Sequence, residues 1–178
     1  MQYPHARRTD FSETLHGTQV PDPYRWMEDI DSPETTAWVQ AQNELTQSYL
    51  ATIPQREAIK TRMTELWNYE KFSAPYRKGG RLFYSHNDGL QNQSVLFWQE
   101  ALDSEPNLLL DPNTLSEDGT IALSAVEISS DGRRMAYSLS ESGSDWVEWR
   151  VRDVDSGQDL PDVIRWSKFS GASWTKDS

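Results

Sequence analysis

The sequence predicts a helical stretch over residues 1–70 followed, over residues 71–178, by antiparallel all-β blades of a β-propeller, with too few blades to close a ring. Three observations predict this. First, a turn-and-strand pattern recurs: Gly79-Gly80-Arg81-Leu82-Phe83-Tyr84-Ser85 aligns with Gly132-Arg133-Arg134-Met135-Ala136-Tyr137-Ser138. Second, Trp174-Thr175-Lys176-Asp177-Ser178 resembles Ile128-Ser129-Ser130-Asp131-Gly132, so matching positions fall at 79, 132 and 178. Spacings near 40–50 residues with short aromatic-rich strands are the period of propeller blades. A ring needs roughly four blades or more, and two fit here, so the sequence reads as an incomplete piece of a larger protein. Third, apolar periodicity changes from helical to alternating near residue 70.

Each element has a local cause. Ser32-Pro33-Glu34 combines an N-cap hydroxyl, a proline at the first helical position and an acid near the positive end of the helix dipole. Trp38, Ala41, Leu45 and Tyr49 then recur at helical spacing as one apolar stripe. A second helix after Pro54 places Ile59, Met63 and Leu66 or Trp67 on one face. Two helices alone bury little, so both stripes require a packing surface elsewhere. From residue 73 the pattern is strand and turn. Strands are expected at 73–78 and 81–86 around Gly79-Gly80, then at 93–100 and 107–111. A second group is expected at 121–128, 135–140, 146–154 and 165–175. Asp118-Gly119, Asp131-Gly132 and Ser156-Gly157 supply turns. Four strands per group suit a blade.

Composition narrows the functional classes. The net charge is −11, which opposes binding to nucleic acid or anionic membrane, since phosphates require clustered Lys and Arg. The 8 Trp and 7 Tyr residues argue for a folded core rather than disorder. There is no Cys, so disulfides and thiolate metal sites are excluded and a reducing, cytoplasmic setting is expected. No apolar run follows the charges of the first eight residues, so no signal peptide is expected.

The chain offers no complete active site. His5, His16 and His86 are scattered, without metal-ligand spacing. Gly171-Ala172-Ser173-Trp174-Thr175 approaches a nucleophile elbow, but Thr175 occupies a position where that strained turn requires glycine. A strand with an inward Ser explains it better. Glu28-Asp29 and Glu117-Asp118 read as solvated turns. Asn92-Gln93-Ser94 is a glycosylation sequon expected to be unused. No cofactor or metal is implied.

Several segments, in order, resemble the N-terminal part of the prolyl oligopeptidase family. They are Tyr3-Pro4, His16-Gly17, Pro21-Asp22-Pro23-Tyr24-Arg25-Trp26-Met27-Glu28-Asp29, Arg62–Leu66, Gly89-Leu90-Gln91-Asn92-Gln93 and Leu110-Asp111-Pro112-Asn113. Ser142-Gly143-Ser144-Asp145-Trp146, Leu160-Pro161-Asp162-Val163 and Lys168-Phe169-Ser170 complete the set. The Pro21–Asp29 segment is shared with the related oligopeptidase B, whereas Gly89–Gln93 and Ser142–Trp146 favour prolyl oligopeptidase.

The resemblance implies a serine endopeptidase that cleaves short peptides after proline. Its α/β-hydrolase domain, with a Ser-Asp-His triad, is capped by a seven-bladed propeller that selects substrate by size. Residues 1–70 then resemble a helical arm packing on that hydrolase domain, which lies outside this chain, and residues 71–178 resemble the first two blades. The implied partners are proline-containing peptides and the hydrolase domain, with a monomeric full-length protein. No residue here matches a triad member, so the chain by itself is expected to be inactive. Phe169 matches an aromatic lining the substrate cavity, near the subsite two residues before the scissile proline; a blade-core aromatic is the alternative. Asp145 matches an acid that faces the hydrolase domain and can pair with an Arg; capping of the Gly143-Ser144 bend is the alternative. A peptidase cleaving after basic residues, as oligopeptidase B does, and a non-catalytic protein-binding propeller are the competing functions. The repeats lack the G-H…W-D signature of WD40 blades.

Overall fold

In the computed structural model, which describes residues 2–176, Ser32 starts the first helix as its chemistry dictates. The Thr35 backbone N–H donates to the Ser32 hydroxyl at 3.2 Å, and Pro33 opens helix α1, Pro33–Ala51. Helix α2 spans Arg56–Trp67. Ahead of them, strands β1 (Ser12–Leu15) and β2 (Thr18–Pro21) form a hairpin. The sequence reading did not separate these strands. They turn through His16 and Gly17, with φ of 50° and 82°. Two successive positive-φ residues give the twist that a tight two-residue hairpin needs.

Two compact units divide the chain, one up to Met63 and one from Thr64 onward. Within the first, Trp26 meets Trp38 edge-on at 6.5 Å and donates its indole N–H to the Arg7 carbonyl at 2.8 Å. Arg7 in turn makes a two-pronged ion pair with Glu34, at 2.7 and 2.8 Å. Trp38, Ala41 and Leu45 are half-buried along α1, while Tyr49 is exposed. On α2 the residues Ile59, Met63, Leu66 and Trp67 are all exposed.

The second unit holds two antiparallel sheets. In the first, β3 (Lys71–Phe72) and β4 (Tyr76–Lys78) both pair with β5 (Arg81–Asn87), followed by β6 (Val95–Gln99) and β7 (Asn107–Leu110). The expected 73–78 strand is thus broken, because Pro75 carries no N–H for the ladder. Ser73 bridges the break: its N–H donates to the Ser85 carbonyl at 2.9 Å, and its hydroxyl accepts from the Ser85 N–H at 2.8 Å. The second sheet is a meander of β8 (Ile121–Ile128), β9 (Arg134–Glu141), β10 (Trp146–Asp153) and β11 (Asp159–Lys168). The last strand corrects the expected 165–175. Asp159–Pro161 looks turn-like in sequence, yet β11 is an edge strand among the described residues, and an edge tolerates proline.

The core lies between the sheets. Register places Phe83 opposite Trp98 and Ser85 opposite Leu96, so Phe83, Leu96 and Trp98 share one face. In the second sheet Met135 pairs with Ile128, Tyr137 with Val126 and Leu139 with Leu123. These two faces, with Leu109, Leu110 and Val154, form the buried cluster. The repeated glycines touch each other. The Gly79 N–H donates to the Ser130 carbonyl at 3.1 Å. A Cβ on Gly79 would lie 1.7 Å from the Asp131 carbonyl oxygen, and one on Gly132 would lie 2.7 Å from that of Lys78. Their φ values of 52° and 73° require glycine as well. At the third occurrence of the pattern, Trp174 donates its indole N–H to the Glu127 carbonyl at 2.9 Å. Asp177 and Ser178 lie outside the described residues.

Candidate functional site

The two residues singled out from the sequence meet at one corner of the second sheet. Strand pairing sets Trp146 opposite Lys168 and Val147 opposite Ser167. That register carries Asp145, just before β10, to the end of β11. The Lys168 ammonium lies 3.2 Å from the Asp145 carboxylate. It also sits over the Phe169 ring at 4.9 Å and the Trp146 ring at 5.3 Å. Trp146 in turn meets Trp166 edge-on, with centroids 5.9 Å apart. The partner of Asp145 within this chain is therefore Lys168. The nearby bend is served instead by Ser144, whose hydroxyl accepts from the Trp146 N–H at 3.1 Å.

The shape of the corner follows from a bulge. Val147 pairs with Ser167, but Trp149 pairs with Ile164, so β11 carries one residue more than β10 across this step. A bulge of this kind bends a strand and re-aims side chains. Trp166 sits in it with φ 58°, and Phe169 follows at φ 51°. Such values are outliers for bulky residues. Both rings end up facing solvent, Trp166 79% and Phe169 83% exposed. Phe169 thus lies outside the buried cluster of the described residues.

The charges around the corner are paired. Glu148 accepts from Arg150 and Arg165 at 2.8 Å each. Burial alone would raise the Glu148 carboxyl, but these two hydrogen bonds hold it below the usual carboxylate range. Further along β10 and β11, Arg152 donates to Asp159 at 2.8 Å and Tyr137 donates to the same carboxylate at 2.9 Å. Burial, and then this carboxylate, push the Tyr137 phenol up to about 12. With Lys168 matched by Asp145, the rings of Trp146, Trp166 and Phe169 give the corner an exposed aromatic surface. Apolar walls of this kind suit uncharged side chains.

The remaining sequence candidates do not assemble into chemistry. Ser173 lies in an irregular segment over 169–176, not in the expected strand, and among the described residues no helix follows it. His86 stacks on Phe72 at 4.3 Å and reaches Glu70 at 2.9 Å. His5 and His16 are exposed. Among the described residues no group of three His, Asp or Glu could hold a metal ion, and no helix is long and apolar enough to cross a membrane. A cleft of about 210 Å³ is walled by Tyr76, Phe83, Leu96, Leu109, Val126 and Ile128, and none of these side chains is an acid, a base or a nucleophile paired with one. The sequence reading did not assign roles to Trp146, Lys168 and Trp166. Trp146 and Lys168 adjoin the chosen residues, whereas the bulge that exposes Trp166 leaves no sequence signal.

Comparisons with known proteins give the context. The family model described as "Prolyl oligopeptidase, N-terminal beta-propeller domain" matches residues 3–178. The chain is 44% identical over 177 residues to a prolyl endopeptidase of Elizabethkingia meningoseptica, covering 99% of this chain and 25% of that protein. It is 39% identical over 203 residues to prolyl oligopeptidase A of Amanita bisporigera, covering 99% and 26%. The fold is similar to a solved prolyl endopeptidase, with a TM-score of 0.82 and 38% identity over 99% of this chain and 26% of that one. It is also similar to prolyl oligopeptidase B from Galerina marginata, with a TM-score of 0.75 and 34% identity over 99% and 28%. The chain therefore spans about a quarter of the length of the relatives it matches. By the family match over nearly its whole length, the chain belongs to the prolyl oligopeptidase family, S9, and corresponds to the N-terminal β-propeller portion.

Proposed function

We propose that this chain is the N-terminal portion of a serine endopeptidase that hydrolyses short proline-containing peptides on the carboxyl side of proline. The observation that carries this reading is the match of 99% of the chain to about a quarter of a prolyl endopeptidase at 44% identity. The chemistry is acyl transfer by a Ser-His-Asp triad, held in an α/β-hydrolase domain to which these residues contribute no triad member. Residues 71–178 supply two of seven blades of a ring that admits short peptides and turns away folded proteins. Residues 1–70 pack on the hydrolase domain, a role supported by the exposed apolar face of Ile59, Met63, Leu66 and Trp67. Phe169 forms the wall for the side chain two residues before the scissile proline. Asp145 faces the hydrolase domain, held by Lys168 until an arginine of that domain pairs with it. The absence of Cys supports a cytoplasmic setting.

The test is expression from the full reading frame that contains these residues, followed by assay on chromogenic peptides ending in proline or arginine. Hydrolysis after proline, abolished by a serine-directed organophosphate, is the expected outcome. Cleavage only after arginine, or no cleavage, overturns the reading. The 178-residue chain assayed alone is expected to give no turnover above background.

A further inference from the structure

The aromatic corner extends beyond Phe169. Trp166 is 79% exposed, an unusual state for an indole with no polar task, and exposed apolar surface of this kind marks a place of contact. Its backbone is held at φ 58° inside the β11 bulge. Strained positions cluster where a side chain must be presented to a ligand. Trp146 steadies the ring edge-on at 5.9 Å. Lys168 occupies the faces of Trp146 and Phe169, and its charge is matched by Asp145 at 3.2 Å. Trp166 is the aromatic of the corner that Lys168 does not cover.

We propose that Trp166, braced by Trp146, is a second apolar contact for the peptide substrate, taking a proline or aromatic side chain upstream of the residue that meets Phe169. This rests on the peptidase reading above. The chain of contacts from Phe169 through Lys168 and Trp146 to Trp166 runs in steps of 4.9, 5.3 and 5.9 Å. An extended peptide rises roughly 3.3 Å per residue, so the second contact falls about two to four residues beyond the first. An uncharged ring fits best: proline and aromatic side chains lay flat apolar surface on an indole, and the one cation over the neighbouring rings, Lys168, is already matched by Asp145.

The experiment uses the protein made from the full reading frame. One substrate is a short blocked Gly-Pro chromogenic peptide, which ends before Trp166. The others are longer peptides in which Phe, Pro or Gly is placed in turn at the fifth to seventh positions before the cut, with Gly held at the third. At one of these positions Phe or Pro is expected to raise kcat/KM about tenfold over Gly, the size of an apolar-pocket preference. Trp166→Ala is expected to remove that preference and leave the short substrate unchanged, and Trp166→Phe to keep most of it. The exposed site keeps the melting temperature of both variants near that of the wild type. The proposal is overturned if no position shows a preference, if the preference survives Trp166→Ala, or if the short substrate suffers equally. Failure of the wild type to cleave the short substrate instead defeats the peptidase reading itself, so the two failures are told apart.

Discussion

Up to Met63, Thr35 is the one buried residue among those described; from Thr64 onward, Phe83, Ile128, Met135 and Tyr137 are each no more than 2% exposed. Both regions are rich in apolar side chains, so composition does not explain the difference. Backbone bonding does. A helix closes its hydrogen bonds within itself, so α1 and α2 satisfy their backbones without a partner strand set against their stripes. A sheet bonds to its neighbours, and two stacked sheets bury alternate residues of every strand they contain. An amphipathic helix thus reports a partner surface without containing it, whereas alternating strands carry their partner in the next repeat.

Phe83→Ala tests the sheet side of this contrast most severely. Phe83 is 2% exposed at the centre of the inter-sheet cluster, and the loss is expected to be roughly 4 kcal/mol. Urea unfolding followed by Trp fluorescence reads it; a loss under about 1 kcal/mol would place the stabilising core elsewhere.

Tyr137→Phe is expected to cost about 1 kcal/mol, the worth of one hydrogen bond. Its clearer signature is in pH. Burial opposes ionisation of Asp159, but hydrogen bonds from Arg152 and Tyr137 win and lower its carboxyl below the ordinary range. That stabilisation is present above the unfolded value near 3.9 and is lost as pH falls through the folded value. Without the phenol, acid unfolding should begin at higher pH. At the other end, the Tyr137 phenol, raised to about 12, stabilises below the unfolded value near 10 and ceases to do so as pH rises through its folded value. Melting temperatures across both ranges check this. Identical acid limbs for the two proteins would remove Tyr137 from the account.

The smallest effect is expected at Ile59, 56% exposed on α2. Ile59→Ser in the 178-residue chain should change stability by no more than about 0.5 kcal/mol. In the protein from the full reading frame the same change should cost about 2 kcal/mol, because the proposed hydrolase surface covers that face. Equal costs in the two settings would erase the distinction between an uncovered and a covered stripe.

Much of the fold was legible where local chemistry decides it. Ser32-Pro33 marked the start of α1, and the Gly79 and Gly132 turns marked both sheets. Legibility failed where tertiary pairing decides. The strand expected at 165–175 runs instead over Asp159–Lys168 with Pro161 on an edge, and the β1–β2 hairpin hides in eight mostly polar residues around His16-Gly17. At the site, Phe169 and Asp145 were chosen by family resemblance. Their meeting through Lys168 depends on the pairing of Trp146 with Lys168, and Trp166 depends on a bulge; neither register nor bulge is written in local propensity.

The contact of Gly79 with Gly132 has a mechanical consequence. Backbone rests on backbone there, with no side chain to yield, so the contact acts as a pin about which the second sheet is set. The turn at Gly132 and the aromatic corner lie at opposite ends of that sheet. Across eight residues of strand and the two strand spacings from β9 to β11 the arm is roughly 28 Å. A tilt of about 5° at the pin then swings Trp166 and Phe169 by roughly 2.5 Å, nearly the rise of one peptide residue. Two hydrogen-sized side chains thereby set the alignment of rings at the far end of the sheet.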